Sequence, residues 1–221
     1  GMDEGTVSRE TGRTPRVVLF PGSRPAIRKK ALPFMGEFLG AARDRLPEAE
    51  WGVLLSPFSE PEEPTLWEQA GFMVYTAGTG AVLRGADIAL TQPGTNTLEL
   101  LHARVPSVVT VPDDFLAVAP SPFLLKPVFA LPGIGSFFKR KAFDRVLEKR
   151  GYLAWPNRLA GRMVFPEITG KVSPAMLARR FAAYAGDPKW LEATREALGQ
   201  IDGGMAGAAV RLRERMLEEL P

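Results

Sequence analysis

The clearest pattern in the chain is a repeated alternation of short apolar runs with longer segments whose apolar residues recur every three or four positions. The short runs are apolar throughout and rich in β-branched residues, which is typical of strands buried on both faces. The predicted strands are Arg16–Phe20, Trp51–Leu55, Phe72–Tyr75, Asp87–Leu90 and Ser107–Val111. The helices predicted between them cover residues 26–45, Pro64–Ala70, Val82–Gly85 and Thr95–Ala103. This alternation predicts a doubly wound, Rossmann-like parallel α/β sheet with helices on both faces.

The alternation stops near residue 112, where prolines begin to interrupt a strongly apolar stretch. Further along, the pattern predicts a basic helix over Phe137–Arg150 and a strand at Tyr152–Trp155, followed by helices over about 173–185, 188–201 and 205–219. Residues 1–14 are polar and without apolar periodicity, so they are predicted to be a disordered lead-in, and Gly1 before Met2 is typical of a tag remnant. We therefore expect one Rossmann-like domain over residues 15–221 that ends in helices.

Composition narrows the chemistry that this domain can perform. The sequence has no cysteine, which excludes disulfides, cysteine-bound zinc and thiol catalysis. Its single histidine, His102, argues against a histidine-based metal site, so neither a metal nor a separate cofactor is expected. No segment reaches the roughly 20 consecutive apolar residues that a membrane-spanning helix needs, and we expect a cytoplasmic protein.

The basic part of the chain is concentrated in one segment. Between Lys126 and Arg150 there are seven basic and two acidic residues, a local net charge of +5, while the whole chain carries only +3. Apolar residues accompany these charges over residues 121–150, a combination that suits peripheral docking on an anionic membrane surface at the inner face of the cytoplasmic membrane. Packing against another domain or a partner subunit explains the same apolar residues equally well. Nucleic acid is not expected as a partner, because the pattern lacks an exposed basic stripe.

Two predicted strand-to-helix turns carry residues suited to phosphate. In parallel sheets, ligands bind beyond the carboxyl ends of the strands, where helices begin. After the first strand, Gly22 permits close approach of a ligand, Ser23 supplies a hydroxyl and Arg24 a planar cation, beside the N-terminus of the next helix. One glycine is a weak signal, and an ordinary turn with an exposed arginine explains these residues as well.

The turn after the Asp87–Leu90 strand makes a better case. Gly94 and Thr95 precede a helix, so that backbone N–H groups and hydroxyls converge on an anion site. Glu99 lies one helical turn further on, where a carboxylate can accept hydrogen bonds from a ribose diol. The alternative is local: Asn96 and Glu99 have the spacing of a capping box, in which Glu99 only satisfies a backbone N–H.

An ordered set of short motifs connects these turns to a known family. The set consists of Phe20–Arg24, Ala86-Asp87, Gly94–Glu99, Val105-Pro106, Pro156-Asn157, Leu159–Arg162 and Pro166-Glu167. In this order and spacing it resembles the C-terminal half of the lipid-A-disaccharide synthases, inverting glycosyltransferases of the GT-B type. Each motif alone is weak, but the resemblance extends over roughly residues 16–220.

The resemblance implies that this half binds the UDP of a UDP-sugar donor. Both turns would face the diphosphate, Glu99 the ribose and Thr76 the uracil, while Asn157 and Arg162 would line the donor pocket. The candidate donor-binding residues are Gly22, Ser23, Arg24, Thr76, Gly94, Thr95, Asn96, Thr97, Glu99, Asn157 and Arg162. In the family, an N-terminal domain binds the acceptor and carries the candidate general base. Nothing similar precedes Val17, so no catalytic residue is assigned and this chain alone is not expected to turn over.

Departures from the family pattern leave two other functions open. Ile27 replaces an acidic residue of the family, and Pro93 replaces a serine. The first alternative is an enzyme like UDP-N-acetylglucosamine 2-epimerase, although few acid/base groups are available for it. The second is a non-catalytic module that senses a nucleotide or acts as a scaffold.

Overall fold

A computed structural model describes residues 15–116, 140–141, 145, 148 and 151–201 of the 221-residue chain. These residues form a six-stranded sheet in which every neighbouring pair of strands is parallel. The strands are β1 (Arg16–Phe20), β2 (Glu50–Leu54), β3 (Met73–Tyr75), β4 (Ile88–Thr91), β5 (Ser107–Pro112) and β6 (Glu167–Gly170). Their order in space is β3-β2-β1-β4-β5-β6, the arrangement typical of Rossmann-like folds, and it confirms the predicted fold class.

Helices cover both faces of the sheet. They are α1 (Pro25–Arg43), α2 (Glu63–Gln69), α3 (Thr79–Gly85), α4 (Asn96–His102), α5 (Asp113–Leu116), α6 (Trp155–Ala160), α7 (Pro174–Ala185) and α8 (Pro188–Gln200). Helices α1, α2 and α7 share one hydrophobic core with the sheet, whereas α3, α4 and α8 share a second core on the opposite face. The sheet is therefore wound in both directions from its centre.

The fully apolar strands are explained by these two cores. In β1, Val17 and Leu19 belong to the core on the α1 side, while Val18 and Phe20 belong to the core on the α4 side. Successive side chains of a strand point to opposite faces, so a strand buried on both faces needs apolar residues at every position.

Aromatic packing fixes α1 on its face of the sheet. The Phe38 ring lies 5.7 Å from the Trp51 ring and 5.8 Å from the Phe181 ring, both in edge-on arrangements. These contacts join α1, β2 and α7, and such ring pairs add about 0.5–1.5 kcal/mol beyond area burial. Pro33 lies inside α1, but on its exposed side, where water can satisfy the carbonyl that loses its helical partner.

The sequence prediction was wrong for the segment that follows residue 150. Tyr152–Trp155 is not a strand, because the carboxylate of Glu167 accepts the backbone N–H groups of Leu153 and Ala154, and α6 begins at Trp155. The strand that pairs with β5 is instead β6, which the apolar pattern did not reveal.

Other predicted segments lie largely outside the described residues: the lead-in over 1–14, residues 121–150 with their proposed membrane contact, and the helix over 205–219. Among the residues that the structure does describe, Arg140, Lys141, Arg145 and Glu148 are helical. No helix within the described ranges is long and apolar enough to span a membrane.

Candidate functional site

The two predicted turns meet at the centre of the sheet. Strands β1 and β4 are neighbours, and their last residues, Phe20 and Thr91, are register partners. The chain winds outward from here in opposite directions, to β2 and β3 on one side and to β5 and β6 on the other. Such a switch point leaves a crevice between the helices at the carboxyl ends of the strands, which is the usual ligand site of doubly wound folds. Below, the first turn is residues 21–24 and the second turn is residues 92–95.

The first turn requires glycine at position 22. Gly22 has a φ of +106°, and a Cβ there would lie 3.0 Å from Ile27 Cγ2 and 3.2 Å from Gln92 Oε1. Only glycine adopts this backbone region without strain. Ser23 and Arg24 follow as exposed residues, so the turn brings its backbone to the surface beside two side chains that suit an anion.

Backbone donors are available where α1 begins. Among the described residues, the N–H groups of Ser23, Arg24 and Ala26 donate no hydrogen bond within the protein. The first turn of α1 contains no acidic residue, and Arg24 at the N-cap makes no side-chain capping bond. A 19-residue helix carries partial positive charge at this end, so the local field favours an anion.

A buried arginine, Arg28, supports the first turn from the interior of the protein. The sequence analysis missed this residue. Arg28 is only 2% exposed. Its Nη1 donates to the carbonyl oxygen of Ser23 at 2.6 Å, while Nε and Nη2 donate to the two carboxylate oxygens of Glu63, where α2 begins. The hydrogen bonds and charge of Arg28 lower the pKa of Glu63, although partial burial opposes the shift. A bidentate pair of this kind fixes geometry as well as charge.

Gln92 connects the two turns. Its Nε2 donates to the carbonyl oxygen of Pro21 at 2.8 Å, and its amide group lies against the position of a Cβ at Gly22. The second turn therefore sets the position of the first through a side chain that is half-buried.

The second turn is held by Thr97, whose side chain is buried rather than directed at solvent. Its hydroxyl donates to the carbonyl oxygen of Gly94 at 2.7 Å and accepts the backbone N–H of Trp155 at 3.2 Å. Gly94 and Thr95 are exposed, and Asn96 is partly exposed. The turn thus presents its backbone and the Thr95 side chain outward, while Thr97 ties it to α6.

Glu99 is available for a ligand. The helix begins at Asn96 after the N-cap Thr95, and no side-chain capping bond is formed there. The capping-box alternative does not hold, because a helix that starts at Asn96 places Glu99 one residue beyond the capping position. Within the described part of the chain, the exposed Glu99 carboxylate accepts no hydrogen bond and forms no ion pair.

Asn157 is a structural residue of α6 and fully buried. Its Nδ2 donates to the carbonyl oxygen of Phe165 and to Glu167 Oε1, and its Oδ1 accepts the N–H groups of Val164 and Phe165. These four bonds use the whole hydrogen-bonding capacity of the amide, leaving none for a ligand. Glu167, a β6 residue, completes the network by capping the chain before α6.

Arg162 and Thr76 lie further from the switch point. Arg162 is exposed and follows Gly161, which ends α6, whereas Thr97 contacts the beginning of that helix. Six helical residues span about 9 Å. Thr76 is exposed just after β3, two strands from β1, which corresponds to roughly 10 Å at the usual spacing of strands.

A separate cavity of about 920 Å³ opens near the ends of β5 and β6. Its lining includes Lys30 and Glu37 of α1, Asp113 of α5, Lys171 before α7, and Arg140, together with apolar residues such as Phe34 and Phe115. None of the predicted donor-binding residues lines this cavity.

Comparison of sequences identifies relatives of this chain. It is 29% identical over 208 residues to the lipid-A-disaccharide synthase of Anaeromyxobacter dehalogenans, covering 91% of this chain and 48% of that protein. The corresponding enzyme of Gluconobacter oxydans is 28% identical over 192 residues, covering 85% and 41%. That of Geobacter sulfurreducens is 27% identical over 227 residues, covering 100% and 53%. No protein-family model matches the chain.

The chain is thus homologous to lipid-A-disaccharide synthases, as its ordered motifs predict, and it spans about half the length of the curated relatives it matches. Among solved structures, MurG of Acinetobacter baumannii gives a TM-score of 0.47 at 13% identity, covering 95% of this chain and 51% of MurG. A glycosyltransferase of kitacinnamycin gives 0.43 at 21% identity, covering 98% and 47%. The fold assignment stands on the strand order and the two helical layers.

Proposed function

We propose that this chain is the donor-binding half of a hexosyltransferase that resembles lipid-A-disaccharide synthase, and that its ligand is a UDP-sugar. The observation that carries the proposal is the pairing of two exposed strand-to-helix turns at the switch point of the sheet, joined by Gln92. Homology to lipid-A-disaccharide synthases supports the choice of a nucleotide-sugar among the anions that such a site accepts.

The diphosphate would lie across both turns. On the first turn, the unused N–H groups of Ser23 and Arg24 would donate to phosphate oxygens, and the Arg24 guanidinium would pair with their charge. On the second, the exposed Gly94 and Thr95 would approach from the other side. Thr97 would contribute by holding this turn, since its hydroxyl is already bonded on both sides.

The nucleoside would extend from the phosphates along the carboxyl edge of the sheet. Glu99 would accept hydrogen bonds from the ribose diol, because its exposed carboxylate lies one helical turn beyond the second turn. We assign the uracil to the turn around Thr76, where backbone groups would bond its edge. The roughly 10 Å between β3 and β1 requires an extended ligand.

We propose that Arg162 and Asn96 contact the sugar and that Asn157 supports the site without touching the ligand. Arg162 is exposed beyond the end of α6, and Asn96 is partly exposed beside the second turn. Asn157 would act indirectly, by fixing α6, because its amide is fully bonded inside the protein. Transfer to an acceptor needs a general base within hydrogen-bond reach of the attacking hydroxyl. We assign that base to no residue here and propose that acceptor binding depends on the other half of the relatives' length.

Titration calorimetry with UDP tests the proposal. We expect saturable binding of UDP to the 221-residue chain and much weaker binding of uridine, since most contacts go to phosphate. Arg24→Ala is expected to weaken UDP binding, by about tenfold for the loss of one charged hydrogen bond. Absence of UDP binding at millimolar concentration, in protein shown by circular dichroism to be folded, would contradict the proposal.

A pair of glutamates makes the test specific to the ribose. Glu99→Gln is expected to weaken UDP binding several-fold, because the amide loses the charge that strengthens bonds from the diol. Glu48→Gln is the matched control, since Glu48 is also exposed but precedes β2 at the opposite edge of the sheet. Equal affinities for the two variants would reject the role assigned to Glu99.

A further inference from the structure

The ion pair between Arg28 and Glu63 is unusual in being almost completely buried. The Arg28 side chain is 1% exposed and that of Glu63 13%. Withdrawing two charges from water costs about as much as their attraction returns, so such a pair is weak evidence for a contribution to stability. Fixing the backbone of the first turn is a better explanation of this buried pair than a gain in stability. The third hydrogen bond of Arg28 shows which peptide group is fixed.

That third bond controls a peptide group of the first turn. Arg28 Nη1 donates to the carbonyl oxygen of Ser23 at 2.6 Å, and this carbonyl shares a peptide plane with the N–H of Arg24. In a trans peptide the C=O and N–H bonds point in opposite directions. Because the carbonyl is drawn toward a buried guanidinium, the Arg24 N–H is directed away from the interior. This N–H donates no hydrogen bond within the described residues.

Because Glu63 accepts two of its hydrogen bonds, the Arg28 guanidinium is suited to positioning the backbone and not to binding a phosphate directly. The two carboxylate oxygens of Glu63 engage Nε and Nη2, which fixes the plane of the guanidinium and balances its charge. The pair is electrically neutral and the guanidinium is buried, so it attracts a phosphate little by itself. Its effect on a ligand would pass through the orientation of the Ser23–Arg24 peptide.

We propose that Arg28, held by Glu63, is a positioning residue that aims the Arg24 N–H at a phosphate oxygen of the bound nucleotide. The inference rests on the proposed function, because it assumes that the first turn binds a diphosphate. It adds α2 to the site, although that helix contributes no contact to the ligand: the first residue of α2 sets the direction of a donor on the opposite side of the turn. Preorganised donors gain affinity because little is lost in ordering them on binding.

The test replaces both charges in the 221-residue chain, as Arg28→Met with Glu63→Met. Apolar replacement of a buried pair commonly leaves stability unchanged or raised, so this variant is expected to fold. We expect UDP to bind about tenfold more weakly, because the Ser23 carbonyl loses its hydrogen bond from the charged Arg28 guanidinium. In amide NMR of the free protein, the resonances of residues 22–24 are expected to shift, because the Ser23 carbonyl loses its hydrogen bond to Arg28, while those of β1 stay unchanged.

The matched control is Arg16→Met with Glu50→Met. These residues form an exposed ion pair at the amino end of β1 and β2, with a distance of 2.8 Å between Arg16 Nε and Glu50 Oε2. UDP affinity and the amide resonances of residues 22–24 are expected to remain at wild-type values in this control. Wild-type affinity in the folded Arg28/Glu63 double variant would overturn the inference, even if those amide resonances shift.

Two further outcomes separate the inference from the proposed function. If the wild-type chain binds no UDP, the proposed function fails, and the inference fails with it before any variant is made. If the double variant does not fold, Arg28→Lys supplies the test, because lysine keeps the buried charge but lacks the planar fork that serves carboxylate and carbonyl together. Folded Arg28→Lys is expected to bind UDP several-fold more weakly, and unchanged binding would overturn the inference.

Discussion

The two turns at the centre of the sheet are held in different ways. The first is locked by a charged side chain from within its own helical layer, since Arg28 of α1 and Glu63 of α2 lie on the same face of the sheet. The second is locked by a hydroxyl that reaches another part of the chain, since Thr97 bonds the N–H of Trp155, 58 residues later. Gln92 is the link between them.

This difference predicts how the site responds to damage. The first turn depends on local geometry, namely a left-handed glycine and one ion pair, so changes there should remain confined to it. The second turn depends on α6, and α6 in turn on the buried network of Asn157 and Glu167. Changes in that network should therefore affect the folding of the domain as well as the second turn.

The largest effect is expected for Asn157→Asp. The new carboxylate would face the Glu167 carboxylate and the Phe165 carbonyl in place of two donated hydrogen bonds. We expect a loss of about 3–5 kcal/mol in the free energy of unfolding, as for an uncompensated buried charge. Urea unfolding at pH 7 measures it. The control is Asn96→Asp, at a partly exposed position, where a loss above about 0.5 kcal/mol is not expected.

Gly22→Ala comes next and tests how strongly the first turn depends on its glycine. The positive φ and the 3.0 Å approach to Ile27 predict a loss of about 1–3 kcal/mol in the free energy of unfolding and weaker UDP binding. Gly94→Ala is the counterpart in the second turn, where a Cβ meets no atom within 4 Å, and its stability should stay near that of the wild type. Equal losses in stability would contradict the requirement for glycine at position 22.

Thr97→Val removes the hydroxyl at nearly constant shape. The partly buried backbone N–H of Trp155 loses its acceptor, which predicts a loss of about 1–2 kcal/mol in the free energy of unfolding. Thr97→Ser keeps the hydroxyl and should retain part of that stability. If the valine variant is as stable as the serine variant, the hydroxyl does not hold the second turn.

The smallest expected effect is on the stability of the protein at low pH. The folded-state pKa of Glu63 lies below its ordinary value of 4.5. The ionised carboxylate therefore makes its full contribution to stability above about pH 4.5. The contribution is lost as the pH falls through the folded-state pKa. Stability measured between pH 5 and pH 3 should therefore fall less steeply in Glu63→Gln than in the wild type, although the variant is less stable at pH 7. Parallel slopes would contradict the assigned shift.

The sequence predicted the fold well where apolar runs are fully buried. β1 was predicted with its exact bounds, and β2, β4 and β5 within one residue, because both of their faces lie in cores. The prediction failed at Tyr152–Trp155, whose composition is typical of a strand although Glu167 binds its backbone. β6 escaped detection because only Ile168 among its four residues is buried.

The location of the two candidate turns could be predicted from the sequence, but the residues that hold them in place could not. Gly22 and Gly94 follow predicted strands, which located both turns, although each glycine alone is a weak signal. The roles of Arg28, Gln92 and Thr97 depend on contacts with Glu63, Pro21 and Trp155, which are distant in sequence, and no local pattern signals them. An arginine inside an amphipathic helix is ordinarily expected at the surface.

The most direct test of the central claim, that both turns bind one diphosphate, is a titration of the isotope-labelled chain with UDP, followed by amide NMR. Saturable shift changes with a single dissociation constant are expected at residues 22–24 and at Gly94 and Thr95. Amides of Glu50 and Asp87, at the amino edge of the sheet, should not shift. Changes confined to one turn, or absent from both in the folded protein, would contradict the account.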